Sequence, residues 1–117
     1  MPCSRTRWLG ASWEGFAIEN LIAAAPEGTS AYYCRTSGGA ETVLLLELPR
    51  GERWAVEIKR STAPAATRGF HQARADVRPR RSFVVYQGAE RFPLAERVEA
   101  VPLPELAREL TALRKKS

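Results

Sequence analysis

The triplet Glu57-Ile58-Lys59 is where this sequence has most chemical capacity. Side chains alternate along a β-strand, so a carboxylate and an ammonium two residues apart share one face. Such a carboxylate can hold a hard cation, Mg²⁺ above all, through its oxygens. The neighbouring ammonium can activate an attacking water or neutralise charge growing on a phosphate. A second carboxylate on the adjacent strand completes a site of this kind. The same spacing also fits an ion pair on the surface of a sheet.

Other reactive side chains are sparse. Cys3 and Cys34, even with His71, fall short of the roughly four ligands of a structural zinc site. Neither belongs to a Cys-x-x-Cys pair, and both are expected as free thiols. His71 has no orienting carboxylate visible in the sequence, which makes it a poor general base. Arg35-Thr36-Ser37-Gly38-Gly39 is either a phosphate cradle of backbone N–H groups or only a turn. Thr67, Arg68, His71 and Arg74 recur at helical spacing, and Arg78, Arg80 and Arg81 follow. Arg35, Arg60, Arg68 and Arg74 are the candidate contacts to a nucleic-acid backbone. A solvated arginine-rich face has the same appearance. Tyr32 and Tyr33 alternate, so one is expected in the core and the other exposed, where it could stack on a base.

The charge balance bears on that choice. Residues 1–56 hold five Lys/Arg and six Glu, and residues 57–117 hold thirteen Lys/Arg and seven acids. The halves therefore carry −1 and +6, which sum to the +5 of the chain. A basic half points to phosphates or to an acidic protein surface. No apolar run approaches the roughly 20 residues of a membrane helix, and no signal peptide is evident. A cytoplasmic protein without membrane contact is expected.

These residues need a scaffold, and its elements are legible in outline. The 117 residues, 44% of them hydrophobic, fit one domain spanning 1–117. Trp13, Phe16, Ala17, Leu21 and Ala24 repeat at threes and fours, which predicts a helix capped by Ser12 and ended by Pro26 and Gly28. Residues 31–36 read as a strand, and Ser37-Gly38-Gly39 as a turn. Residues 41–48 form a buried strand around Val43-Leu44-Leu45-Leu46. Pro49-Arg50-Gly51-Glu52 turns the chain into a strand over 53–60, with Trp54, Val56 and Ile58 opposite Ala55, Glu57 and Lys59. A helix follows over 65–77, with Phe70, Ala73 and Val77 inward. Residues 81–87 are a strand. Residues 92–94 and 98–102 are short extended pieces. A last helix over 104–115 carries Leu106, Leu110 and Leu113 on one stripe with Leu103. Trp8 and Trp13 read as core or helix-packing residues. The order predicts an α/β sandwich.

Three blocks also carry a likeness. They are Gly10-Ala11-Ser12-Trp13-Glu14-Gly15-Phe16-Ala17-Ile18-Glu19-Asn20, then Tyr33 to Glu41, then Glu57-Ile58-Lys59-Arg60-Ser61-Thr62-Ala63-Pro64. In this order they resemble the C-terminal domain of a widespread group of prokaryotic AAA-type P-loop ATPases. That domain, of unknown function, is assigned to the PD-(D/E)xK restriction-endonuclease-like superfamily. The resemblance spans about residues 9–106. It implies an α-β-β-β-α-β core with a mixed central sheet flanked by helices. It also implies an acid from the first helix, an Asp from the central strand and Glu-x-Lys from the next.

By this resemblance Glu14 matches the helix acid, and Glu57 and Lys59 match the closing pair. The Asp falls two residues after Glu41, where this chain has Val43. The only aspartate, Asp76, lies well past the site. Valine cannot ligate a cation. Glu41 shares the strand face of position 43, about 7 Å away, and is a possible substitute acid, as is Glu47, farther along the same face in the other direction. No G-x-x-x-x-G-K-[ST] phosphate loop occurs in these residues, so no ATPase domain is expected within them. Three expectations follow. One is a degenerate nuclease-like module that binds nucleic acid or serves an AAA-type ATPase. The second is an active Mg²⁺-dependent nuclease using Glu14, Glu57 and Lys59, with Glu57 and Glu14 holding the metal. The third is a protein-interaction domain without nucleic-acid contact. The sequence leaves the oligomeric state open.

Overall fold

A computed structural model describes residues 4–5, 13–35, 42–59, 68–95 and 97–116. The elements are β1 (Ser4–Arg5), α1 (Trp13–Ala24), β2 (Ser30–Arg35), β3 (Thr42–Glu47), β4 (Arg53–Ile58), α2 (Arg68–Val77), β5 (Arg81–Tyr86), β6 (Phe92–Ala95), β7 (Val98–Pro102) and α3 (Leu103–Lys116). Among the described residues they form a seven-stranded mixed sheet in the order β1-β2-β3-β4-β5-β7-β6. Strands β1 to β4 are antiparallel neighbours, β4, β5 and β7 run parallel, and β6 returns antiparallel to β7. The expected mixed α/β architecture is therefore present.

Local chemistry sets the boundaries. Pro26 and Gly28 follow α1, and Gly28 takes a left-handed φ of 92° that a side chain would strain. Thr29 Oγ1 donates to the Pro26 carbonyl at 2.7 Å and closes the turn into β2. The β3–β4 hairpin is tied by Leu48 N–H to the Glu52 carbonyl and Gly51 N–H to the Leu48 carbonyl, both at 2.8 Å. Strands β4 and β5 are parallel, so no tight hairpin can join them, and α2 lies in the connection. The expected cap Ser12, residue Trp8 and the start of the helix expected over 65–77 lie outside the described residues.

The sheet is covered on both faces. Ala17, Ile18 and Leu21 of α1 and Leu106 and Leu110 of α3 pack with Leu44, Leu46, Trp54, Val56, Ile58, Phe83 and Val85. The opposite face gathers Val43, Ala55, Val84 and Val98 under Phe70 of α2. Alternation along β4 thus divides it between two cores, as its pattern predicts. The segments expected as short extended pieces are strands β6 and β7, and β7 inserts between β5 and β6. Val98, Ala100 and Val101 are all buried, Val98 in the core under Phe70 and Val101 in the core of α1 and α3, because helices cover both faces. No helix among the described residues is long and apolar enough to cross a membrane.

An ion network fastens α3 to the sheet. Arg91 forks onto Glu99 with two bonds of 3.1 Å and reaches Glu109 at 2.8 Å. Arg81 also donates to Glu109. Burial pushes the Glu109 carboxyl up, but the hydrogen bonds from Arg91 and Arg81 outweigh it and hold the group below its ordinary value. A carboxyl depressed in the folded state contributes stability above its unfolded pKa and loses it as pH falls through the folded one. Between pH 7 and pH 3 the urea midpoint is therefore expected to fall further for this chain than for Glu109→Gln.

Candidate functional site

Strand β4 delivers Glu57 to the middle of the sheet. In register it faces Val43 of β3 on one side and Val84 of β5 on the other. Val43 in turn faces Cys34 of β2. Residues paired in register project to the same face, here the one that α2 covers. Glu57 is 0% exposed, and so is Val43. A carboxylate in such surroundings is costly unless engaged, and Glu57 is engaged. No buried side-chain oxygen or nitrogen among the described residues lacks a hydrogen-bond partner. The reading of Glu57 as half of a surface ion pair is thereby overturned: strands on both edges and α2 above leave it no contact with water.

Lys59 follows β4 directly and is half-buried. Its N–H donates to the Val85 carbonyl at 2.8 Å, which carries the parallel ladder one residue beyond the strand. That continuation keeps the alternation, so Lys59 leaves the chain on the Glu57 side. The pair stands where β4 ends, beside the C-terminal ends of the parallel strands β5 and β7. Open α/β sheets commonly bind ligands at that edge.

Glu14 reaches the same end from another layer. A short connection turns α1 back along the sheet, and Arg114, near the end of α3, donates to the Ala23 carbonyl at 3.2 Å. The C-terminal ends of α1 and α3 therefore adjoin, and the first turn of α1 lies toward the Ile58 end. Glu14 is on the stripe of Ile18 and Leu21, half-buried. But α1 covers the face opposite the one Glu57 occupies. The three residues share an end of the sheet, with Glu57 and Lys59 on one face and Glu14 entering from the other layer. The possible substitute Glu41 lies outside the described residues.

At the register position opposite Glu57, β3 offers valine and no second carboxylate to a two-carboxylate Mg²⁺ centre. Among the described residues no three His, Cys, Asp or Glu side chains group so as to hold a metal ion. The place opposite Glu57 is filled by the methyl groups of Val43, closed in by Ala55, Phe70, Val84 and Val98. Two neutral methyl groups offer no lone pair to a cation.

The arginine patch divides once the chain is folded. Arg35 ends β2 opposite Thr42, and Arg68 opens α2; Arg60 and Thr67 lie outside the described residues. Arg74 is turned inward, donating through Nε to Ser82 Oγ at 2.8 Å and lying 3.3 Å from His71 Nδ1. It bolts α2 to β5. Arg81, expected to extend the same patch, instead lies on the opposite face, over the rings of Trp54 and Phe83. As the first residue of β5 it alternates away from Ser82 and so away from α2. Tyr33 packs on the α1–α3 core, and Tyr32 lines a cavity of about 180 Å³ with Leu45 and Val77 on the other face. Neither tyrosine is exposed, since β1 and β3 flank their strand. The ion network of Arg81, Arg91, Glu99 and Glu109 was not foreseen. The four-residue spacing of Glu105 and Glu109 is the only local sign of it, and their partners come from distant segments.

The family described as a domain of unknown function, DUF4143, matches residues 9–106. Uncharacterized proteins of Mycobacterium bovis and Mycobacterium tuberculosis are each 42% identical over 107 residues, covering 91% of this chain and 24% of theirs. The chain thus spans about a quarter of the length of these curated relatives. No solved structure matches it.

Proposed function

Because this chain belongs to the DUF4143 family of domains of unknown function, its site must speak for its role, and we propose a degenerate PD-(D/E)xK nuclease-like module that binds nucleic acid without cutting it. The order α1-β2-β3-β4-α2-β5 supports a restriction-endonuclease-like fold: three antiparallel strands, then a helical connection into a parallel neighbour. Glu57 near the end of β4 and Lys59 just after it, which match the closing pair by resemblance, support the same reading. One observation carries the loss of activity: Val43 occupies the register position opposite Glu57, buried in hydrocarbon. The net +6 of residues 57–117 supports phosphate contact. An AAA-type ATPase is the partner that the resemblance implies, and the remaining length of the relatives leaves room for one.

The test uses supercoiled plasmid with Mg²⁺ or Mn²⁺, beside a Lys59→Ala control. The plasmid is expected to stay intact with both proteins. DNA is expected to be retained at low salt and released steeply as salt rises. Cutting that Lys59→Ala abolishes would establish an active nuclease instead. No retention at low salt would remove nucleic acid as the ligand and leave a protein partner.

A further inference from the structure

We propose that the cleft between the N-terminal ends of β5 and β7 binds a phosphate group. Parallel pairing sets Ser82 beside Val98 and Phe83 beside Glu99, so the segments entering both strands, at Arg80 and Arg97, stand side by side. A cleft of about 350 Å³ opens there, lined by Arg80, Arg81, Ser82, Phe83, Arg97 and Glu99. That is the scale of a small-molecule site. It lies at the end of the sheet opposite Glu57 and Lys59, and it does not depend on the nuclease-like reading.

Its charge is unbalanced in favour of an anion. Among the described residues three guanidinium groups face one carboxylate, and that carboxylate is already committed: Arg91 grips Glu99 with two bonds of 3.1 Å. Arg81 is fixed in place, 4.9 Å from the Trp54 ring centre and 4.8 Å from that of Phe83, and anchored to Glu109. A planar group with five N–H donors has capacity left after those contacts. The Arg80 side chain is 76% exposed and pairs only at 3.8 Å with Glu52 among the described residues. Arg97 makes no ion pair with a described residue. It holds a left-handed φ of 64°, which turns the chain into β7 and sets its side chain on the cleft wall. Forked donors on one anchored and two exposed arms suit several oxygens on one centre, which a phosphate offers and a carboxylate does not.

The shared chemistry is a phosphate ester or anhydride, from a free compound or from a nucleic-acid backbone. The full chain would be titrated with sodium pyrophosphate at constant ionic strength, read by the fluorescence of the chain's tryptophans, among them Trp54 beneath Arg81, and by calorimetry. Saturable binding is expected, with Kd at least tenfold higher in Arg97→Gly and in Arg80→Ala. Glycine suits the left-handed φ, so the first variant removes the guanidinium without straining the backbone. Arg50→Ala, which takes the same charge from the β3–β4 turn, is expected to leave Kd unchanged. Displacement of pyrophosphate by an oligothymidylate would assign the backbone as the source, and its failure to displace would assign a free phosphate compound. Absence of saturation would overturn the proposal. So would an equal loss in Arg50→Ala, which would reduce the cleft to general charge.

Discussion

Val43→Asp is expected to lower the stability of the metal-free protein by about 3–5 kcal/mol, and part of the loss should return on adding Mg²⁺ or Mn²⁺. The native side chain is 0% exposed and shares its core with Ala55, Phe70, Val84 and Val98. A carboxylate there replaces hydrocarbon contacts with a charge that has no water. It also stands in register with Glu57. Cross-strand neighbours have Cβ atoms about 4.5–5.5 Å apart, near enough for two carboxylates to repel or to share one divalent cation. Metal that binds only the folded state stabilises it by about 2.7 kcal/mol at a hundredfold excess over Kd. Urea unfolding with and without Mg²⁺ measures both effects. Val43→Asn should also destabilise, but without a response to metal. If Val43→Asp likewise ignored Mg²⁺ and Mn²⁺, position 43 would not be an erased ligand site, and the degenerate-nuclease reading would lose its main support.

Replacing Glu57 by alanine is expected to cost about 3 kcal/mol, whereas Glu57→Gln should cost about 1. The side chain is fully buried and engaged, so its removal strips a partner of its match and opens a cavity as well. Glutamine keeps the volume and one acceptor oxygen, and exchanges the charge and the second acceptor for an N–H donor. Urea midpoints at pH 7 for the two variants separate these contributions. Equal losses would mean that charge matters more than space. A loss below about 0.5 kcal/mol in both would mean that the buried carboxylate does not hold the sheet together. Positions 43 and 57 touch across the ladder, so their effects should not add. The pair Val43→Asp and Glu57→Gln should be more stable than the sum of the single losses, because one of two adjacent charges is gone.

Much of the scaffold follows from local pattern. The stripes of α1 and α3, the β3–β4 hairpin and the alternation that separates Trp54, Val56 and Ile58 from Glu57 all arise from residues close in sequence. Their physical origin is the fixed period of helix and strand, which any short window displays. The absence of an acid at position 43 is equally a property of the sequence alone. Whether Glu57 is exposed or buried is not, because that depends on β3, β5 and α2 arriving around it. The arginines make the same point. Six residues separate Arg74 from Arg81, and on the chain they look like one basic run, yet pleating sends Ser82 toward α2 and Arg81 toward α3. Strand β7 lies between β5 and β6 through pairings that no neighbouring residue specifies. Local periodicity therefore determined most of the elements, and the sequence alone put a valine at position 43. The choice of neighbours across the sheet, a contest among distant segments for hydrogen bonds and dry surface, decided which charges are buried and where the cationic cleft opens.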